Sequence, residues 1–480
     1  MEILFHGAAR EVTGACFLVR CAGHRLLLDC GLIQGAAADE ARNREPFPFD
    51  AAAIDAVVLS HAHLDHSGRL PLLVNAGFRG PVYTHAATRD LCDILLRDAA
   101  HLSEKDAELE NRKRARKGKR PLAPLYTRPQ AERAMRQFRA LAYGEEREIL
   151  PGVRVTLHDA GHILGSGIVE LTLTEQGVRR KLVFSGDLGH AGAPILRDPQ
   201  PLREADLVLL ESTYGDRDHR SWEETWHELS GVFRNAEQSK GNILIPAFSV
   251  GRSQELLYVL KRNYREWGLN RWTIFLDSPM AIEATAVYAR HWRLYDSEAA
   301  REQRFNGGAF RMPNLHFTQT AKQSAAINRV QSGAIIIAGS GMCNGGRIRH
   351  HLKHNVWREH CHVVFTGFQA RGTLGRQLVE GAKQIRLWGE GMRVAARIHT
   401  IGGLSAHADQ NGLIDWYRHF RGAPPVALVH GEAGAMEALA RRLGRELDAT
   451  VHTPSYGEAL NLATVTARRG RGAAKKPPLG

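Results

Sequence analysis

Cysteine is scarce in this chain, with six in 480 residues and no CxxC pair among them. That excludes a disulfide scaffold and points to a reducing compartment, read here as the cytoplasm. The six (Cys16, Cys21, Cys30, Cys92, Cys343 and Cys361) read as small buried hydrophobes. No apolar run approaches the roughly 18 residues of a membrane span, so no transmembrane helix and no membrane partner are expected. The start, Met1-Glu2-Ile3-Leu4-Phe5-His6-Gly7, has no basic region followed by an apolar stretch, so no signal peptide is expected. Solenoid-type repeats are missing as well. Acidic residues are in deficit: 51 Asp and Glu against 64 Lys and Arg leave a net charge of +13. That favours a polyanionic partner, nucleic acid ahead of a membrane surface, because no basic amphipathic helix stands out. What remains, 43% hydrophobic and 24% charged, is the composition of a soluble globular protein long enough for two or three domains.

The first two hundred residues alternate short apolar strands with Gly-rich turns, as in Arg25-Leu26-Leu27-Leu28-Asp29, Val153-Arg154-Val155-Thr156-Leu157 and Lys181-Leu182-Val183-Phe184-Ser185. Several of them end in a polar or ionisable residue followed by Gly, the way an α/β protein presents a site at strand ends. From about Asp206 to Gly381, strand, Gly/Ser loop and helix recur: Asn242 to Pro246 before Gly251-Arg252-Ser253, Ala334 to Ala338 before Gly339-Ser340-Gly341, and Val363 to Thr366 before Gly367-Phe368-Gln369. Repeated βα units imply a parallel, doubly wound domain. After it, His399 to Leu462 returns to site-bearing strand ends. The simplest topology inserts one domain into another: an outer domain at 1–205, an insert at 206–385, the rest of the outer domain at 386–462, and a basic disordered tail at 463–480. Asn111 to Arg120 carries seven Lys or Arg after four acidic residues, which suits a charge-laced helix ending near Gly118 and Pro121.

The most informative stretch is His61-Ala62-His63-Leu64-Asp65-His66, directly after the apolar run Ala56-Val57-Val58-Leu59. It places four metal-competent side chains in six residues at the end of a buried strand. Imidazole and carboxylate together suit zinc, with manganese or iron as alternatives. His61, His63 and His162, the last between small residues, make an open three-imidazole site. Asp65 and His66 point to a second ion, Asp187 follows a strand and could bridge the two, and His430 follows Val426-Ala427-Leu428-Val429 and could complete the second ion. Two divalent ions, two carboxylates and a hydroxide leave a net positive centre, which suits a phosphodiester and its developing charge. Asp29, in Leu28-Asp29-Cys30-Gly31, is expected to hold a ligand histidine in place.

These residues resemble the metallo-β-lactamase superfamily, and within it the β-CASP nucleases, relatives of the eukaryotic pre-mRNA 3′-end endonuclease. The resemblance covers roughly residues 1 to 460. Leu28-Asp29-Cys30-Gly31, His61 to His66, His162 and Asp187 are similar to the four superfamily motifs. Glu211 (in Glu211-Ser212-Thr213-Tyr214-Gly215), Ser405-Ala406-His407-Ala408-Asp409 and Val429-His430-Gly431-Glu432 are similar to the three β-CASP motifs.

The resemblance implies an α/β fold, an αββα sandwich with an inserted doubly wound β-CASP domain. It implies a zinc-dependent ribonuclease with two Zn2+ ions and a hydroxide nucleophile, acting on single-stranded RNA. His430 would be a ligand of the second ion. His407 would be the general acid, oriented by Glu211, with Asp65 also among the catalytic groups. A histidine at position 430 leans the reading toward RNA and away from DNA. The Gly loops would line the RNA cleft, with Arg252, Ser340, Gly341 and Arg347 holding phosphate. No separate RNA-binding module is expected ahead of Met1, and a homodimer is one arrangement open to the chain. The rival readings are a hydrolase of a small ester or thioester, an inactive RNA-binding scaffold, and a DNA nuclease. The first needs neither the insert nor the basic charge, and the second usually accompanies lost ligands.

Overall fold

The computed structural model describes residues 1–367, 369–370 and 372–464, and the outer domain in it is built on two seven-stranded sheets. The first runs Ala459–Asn461, Glu2–Phe5, Phe17–Cys21, His24–Leu28, Ala56–Val58, Val82–His85 and Phe138–Leu141. The second runs Val451–His452, Val426–Val429, Leu207–Glu211, Val178–Phe184, Gly167–Glu175, Val153–Asp159 and Arg147–Leu150. Each sheet is antiparallel on one side and parallel on the other. Period-two alternation explains why the sheets stack. Ile3, Phe5, Phe17, Val19, Leu26 and Leu28 of the first sheet meet Val155, Leu157, Val169, Leu171, Leu182, Phe184, Leu207 and Leu209 of the second. The alternate residues face outward beneath helices. Leu18, Leu27 and Val57 share a core with the helix Ala86–Ala115, and Val183, Val208 and Leu428 share one with Gln410–Tyr417 and Ala433–Leu447. The four layers are the expected αββα sandwich.

The inserted domain carries a six-stranded, wholly parallel sheet in the order Leu315–Phe317, Thr273–Leu276, Ala334–Ala338, Ile243–Pro246, His362–Phe365 and Arg397–Thr400. Both expected boundaries of the insert move. Leu207–Glu211 pairs with Val178–Phe184 and Val426–Val429, so the outer domain reaches Glu211 and not 205. Arg397–Thr400 pairs with His362–Phe365, so the insert continues well past 385. A change of sequence texture marks where helices begin to alternate with strands, whereas sheet membership is decided by hydrogen bonding that the texture does not encode.

One core spans the two domains: Leu91, Ile163 and Leu164 of the outer domain cluster with Leu256, Ile282 and Tyr288 of the insert. Asp90 pairs with Arg290 at 3.0 Å and His291 at 2.9 Å, and the Leu164 N–H donates to the Tyr288 hydroxyl at 3.2 Å. The helix Ala86–Ala115 ends in the expected opposite-charge ladder, Glu108 with Arg112 and Glu110 with Lys113. All six cysteines are buried free thiols. Among the described residues no helix is long and apolar enough to cross a membrane. The expected tail lies, from residue 465 on, outside the described residues, as does Phe368.

Phe17 sits between the sheets, edge-on to Phe5 at 5.8 Å and to Phe184 at 5.4 Å, with no exposure. Phe17→Ala should destabilise the outer domain by about 3–5 kcal/mol, because the close-packed sheets cannot collapse onto the void. The shift of a denaturation midpoint measures it.

Candidate active site

Six strand ends of the sandwich converge on one point. Asp29 follows His24–Leu28, His61 follows Ala56–Val58, His162 follows Val153–Asp159 and Asp187 follows Val178–Phe184; Glu211 ends Leu207–Glu211 and His430 follows Val426–Val429. The loop His63 to His66 is stitched down by its backbone: the Cys30 N–H donates to the His66 carbonyl at 2.7 Å, and Leu32 to Leu64 at 2.7 Å. The approach is so close that a Cβ at Gly31 would lie 1.5 Å from the Asp65 carbonyl oxygen, so only glycine fits. Asp29 and His430 both adopt left-handed backbone, φ +58° and +51°, a conformation that costs energy outside glycine and here aims a side chain.

Three overlapping groups of ligand atoms result: His61, His63, His162 and Asp187; Asp65, His66 and His430; and Asp187, Glu211 and His430. Asp187 belongs to the first and third, and its Oδ1 also faces the second. Its Oδ2 lies 3.3 Å from His61 Nε2 and 3.5 Å from His162 Nε2, while its Oδ1 lies 3.3 Å from His66 Nε2. Asp65 Oδ2 is 3.5 Å from His430 Nε2.

The far nitrogens of these rings fix what the near ones offer. Asp29 takes the Ser60 N–H on Oδ1 and the Ser60 hydroxyl on Oδ2, each at 2.7 Å, and His66 Nδ1–H at 2.7 Å. With its hydroxyl donating to Asp29, Ser60 accepts from His61 Nδ1 at 3.1 Å. His162 Nδ1–H donates to the Ala406 carbonyl at 2.9 Å. The Thr213 hydroxyl donates to the His430 carbonyl at 3.2 Å and so accepts from His430 Nδ1 at 3.1 Å. Each ring therefore turns an Nε2 lone pair inward. His66 Nε2 faces His430 Nε2 at 3.1 Å, and His63 Nδ1 faces the Nε2 of both His61 and His162 at 3.1 Å. Converging lone pairs repel unless a cation or proton sits among them, and Asp187 Oδ1 is buried without a hydrogen-bond donor. The donor set fits a divalent metal of the zinc class.

Electrostatics agree. Burial pushes His61 down to about 3 and His63 down to about 4, and holds His162 well below the ordinary imidazole range, which keeps lone pairs free. Burial also disfavours a charge on His66, but Asp187 and Asp29 outweigh it and raise that ring. Asp65 and Asp187 are held low by the surrounding imidazoles in spite of burial. A cation entering this centre displaces a proton from it.

His407 stands beside the cluster with a different partner. Its Nδ1 lies 3.2 Å from both oxygens of the fully buried Glu211, and its side chain keeps 21% exposure. Glu211 is itself fixed by the Leu188 N–H at 2.7 Å. Burial works against protonation of His407, yet Glu211 and Asp187 prevail and raise it to about 9. A charged imidazole with Nε2 free is a proton donor at neutral pH.

All seven expected ligands, with Asp29, His407 and Glu211, are thus brought together. Ser60, Thr213 and Ala406, which orient the rings, were not expected from the sequence; only the position of Ser60 beside His61 and of Thr213 beside Glu211 hinted at them. The two arginines expected at phosphate are engaged within the protein. Arg252 is 9% exposed, paired with Glu255, and donates to the Leu404 carbonyl at 2.7 Å. Arg347 bonds Asp277 at 2.7 Å, the Thr318 carbonyl at 2.9 Å and the Gln319 carbonyl at 2.6 Å. Their guanidinium groups hold the insert together. Ser340 and Gly345 bond each other within their own loop, and Gly341 lies against Phe248.

Family models match three parts of the chain: the metallo-β-lactamase superfamily over residues 9–234, the β-CASP domain over 253–378, and a Zn-dependent metallo-hydrolase RNA specificity domain over 391–454. A protein of Thermus thermophilus named as a ribonuclease is 41% identical over 92% of this chain and 96% of its own length. The chain belongs to the β-CASP family of the metallo-β-lactamase superfamily. It is a metal-dependent hydrolase with a metal-binding site. Relatives named transcription termination factor FttA, from Methanocaldococcus jannaschii and Thermococcus kodakarensis, are 32% and 33% identical over 96% and 95% of this chain and 72% and 70% of theirs. A crystal structure of a protein of unknown function from Enterococcus faecalis has the same fold, with a TM-score of 0.55 at 14% identity over 96% of this chain and 99% of that one.

Asp29→Ala frees His66 Nδ1 and the Ser60 hydroxyl together, so metal affinity should fall roughly 10–100-fold. Asp187→Ala should deplete metal further, since it takes a carboxylate oxygen from each ligand group. Metal analysis of the purified variants after dialysis decides both.

Proposed function

We propose that this protein is a ribonuclease that hydrolyses phosphodiester bonds of single-stranded RNA and works with two zinc ions: His61, His63 and His162 would hold one, Asp65, His66 and His430 the other, and Asp187, which turns an oxygen toward each group, would serve both. The observation that carries the reading is the pairing of this divided centre with the His407–Glu211 dyad, 3.2 Å apart. A departing ribose oxygen needs a proton, whereas the thiolate expelled from a thioester leaves without one. The relative named as a ribonuclease and the matched RNA specificity region support RNA as the substrate.

Metal ions bound here supply Lewis acidity toward phosphoryl oxygens and lower the pKa of bound water. The chain's own residues do the rest. Asp29 and Ser60 keep His61 and His66 in one tautomer. Glu211 keeps His407 protonated and turns its Nε2 outward. As hydroxide from water forms the new P–O bond and the bond from phosphorus to the 3′-oxygen breaks, His407 gives that proton to the departing ribose oxygen, leaving 5′-phosphate and 3′-hydroxyl ends. Every residue named comes from a single copy, so this chemistry requires no second subunit. Six buried free thiols support the reducing cytoplasm as its setting.

His407→Ala should lower turnover about 10²–10⁴-fold on end-labelled single-stranded RNA while metal content stays at the wild-type level. Glu211→Gln removes the charge that raises His407, so the imidazole deprotonates at lower pH and the alkaline fall of kcat should move downward. Efficient hydrolysis of a lactone or thioester by wild-type protein, with RNA left intact at low salt, overturns the reading.

The formal charge of +13 gives a second check. Binding of a non-cleaved RNA should weaken linearly in log–log with salt, with a slope of about −0.7 per contacted phosphate. A flat profile removes the electrostatic part of the argument.

A further inference from the structure

Phe248 is out of place for its residue type. It is 48% exposed, although it follows directly on the buried strand Ile243–Pro246 and the buried Ala247. Single exposed apolar residues are ordinary on a surface, but this one sits in a fixed loop at the domain junction. Its carbonyl accepts both the N–H and the hydroxyl of Ser253, at 3.2 and 2.7 Å. A Cβ on Gly341 would fall 3.0 Å from the ring, so the Gly339–Gly341 turn braces one side of it.

The same loop touches both arms of the active site. Gly251 reaches Ile163, the neighbour of the ligand His162: a Cβ there would be 3.1 Å from the Ile163 side chain. Arg252, at the loop's end, donates to the Leu404 carbonyl at 2.7 Å, three residues before His407. A half-exposed aromatic ring thus stands on a loop anchored to the segments that carry His162 and His407. The arginines of these loops point inward to Glu255 and Asp277, so the loops offer an aromatic surface where charge had been expected.

We propose that Phe248 is a stacking platform for one nucleobase of the single-stranded RNA next to the bond that is cut. The inference rests on the ribonuclease reading above. A π-face accepts any base, so Phe248 supplies position and strand selectivity without reading sequence: a base held in a duplex is already stacked on its neighbours and paired, and is not free to lie on the ring. Gly341 then has a defined task, leaving room beside the ring.

The test walks a single abasic nucleotide through the positions flanking the observed cut in a single-stranded RNA. KM and kcat are measured for wild type, Phe248→Ala, Phe248→Leu, Phe248→Tyr and Phe248→Trp. At one position the abasic substrate should raise the wild-type KM roughly 5- to 100-fold, the range of one base–aromatic stack. Phe248→Ala and Phe248→Leu should show a similar rise on intact RNA and no further rise with the abasic residue at that position. The tyrosine and tryptophan variants should stay close to wild type. Leucine keeps the apolar bulk, so loss of folding is not what its defect would report. If abasic and Phe248→Ala losses add at every position, or if Phe248→Ala leaves KM unchanged, Phe248 does not stack on a base. If wild type cuts no RNA at all, the ribonuclease reading itself falls.

Discussion

The buried carboxylate of Asp187 is the constraint on which the rest of the site depends. It has almost no contact with water, and five imidazoles (His61, His66, His162, His407 and His430) lie within 4 Å of it. A carboxylate removed from water is costly unless positive charge comes with it. All five rings have their outer nitrogens tied, to Asp29, Ser60, Ala406, Thr213 and Glu211, so they cannot turn away. Positive charge must therefore arrive at the centre as protons or as metal. Raised His66 and His407 are the proton form of that compensation, and a metal that displaces the His66 proton is the other. This competition makes metal affinity fall as pH falls.

Holding the rings requires a scaffold that brings strand ends from two sheets to one edge. The sandwich does so because the parallel half of each sheet, together with Val153–Asp159, which runs in the same direction as Val178–Phe184, puts these strand C-termini on one side. The local cost is visible in the left-handed backbone of Asp29 and His430 and in the glycine contact at Gly31, and it is met by the tightly packed core around Phe17 and Phe184. The chemistry is sparse in the chain, yet it is distributed over every segment of the outer domain, including the strand Val426–Val429 that returns after the insert.

What was legible in the sequence was local. HxHxDH, the Gly-flanked His162 and Asp187, and the strand-end His430 each carry their signal within a few residues, because ligand geometry is set by short loops on short strands. Glu211 and His407 were legible only through the family resemblance; nothing near either residue announces that the two meet across 196 positions. Ser60 and Thr213 were missed because a neutral hydroxyl acquires its role only when folding places a ring beside it. The bonds of the two arginines were hidden for a similar reason. Arg347 beside a glycine loop reads as a phosphate ligand until Asp277, seventy residues earlier, is seen to hold it. The boundary strands Leu207–Glu211 and Arg397–Thr400 were placed in the wrong domains because pairing partners are invisible to local pattern.

The position of His407 ties the two domains into one catalytic unit. The clustered histidines and carboxylates of the candidate metal site belong to the outer domain, but His407 lies on the stretch that leaves the insert, after the strand Arg397–Thr400. That stretch is pinned on one side by the Arg252 guanidinium at Leu404 and on the other by the Ala408 N–H donating to the Leu188 carbonyl at 2.7 Å, next to Asp187. Between these pins, Ala406 accepts the Nδ1–H of His162. The segment that carries His407 thus also fixes the tautomer of the His162 ring. A shift of the insert against the sandwich would disturb acid and ligand together, whereas a change within the sandwich near Asp29 would reach the ligands and leave the His407–Glu211 pair in place. Arg252, expected from the sequence at the substrate, links the insert to the stretch that carries His407 through its bond to the Leu404 carbonyl.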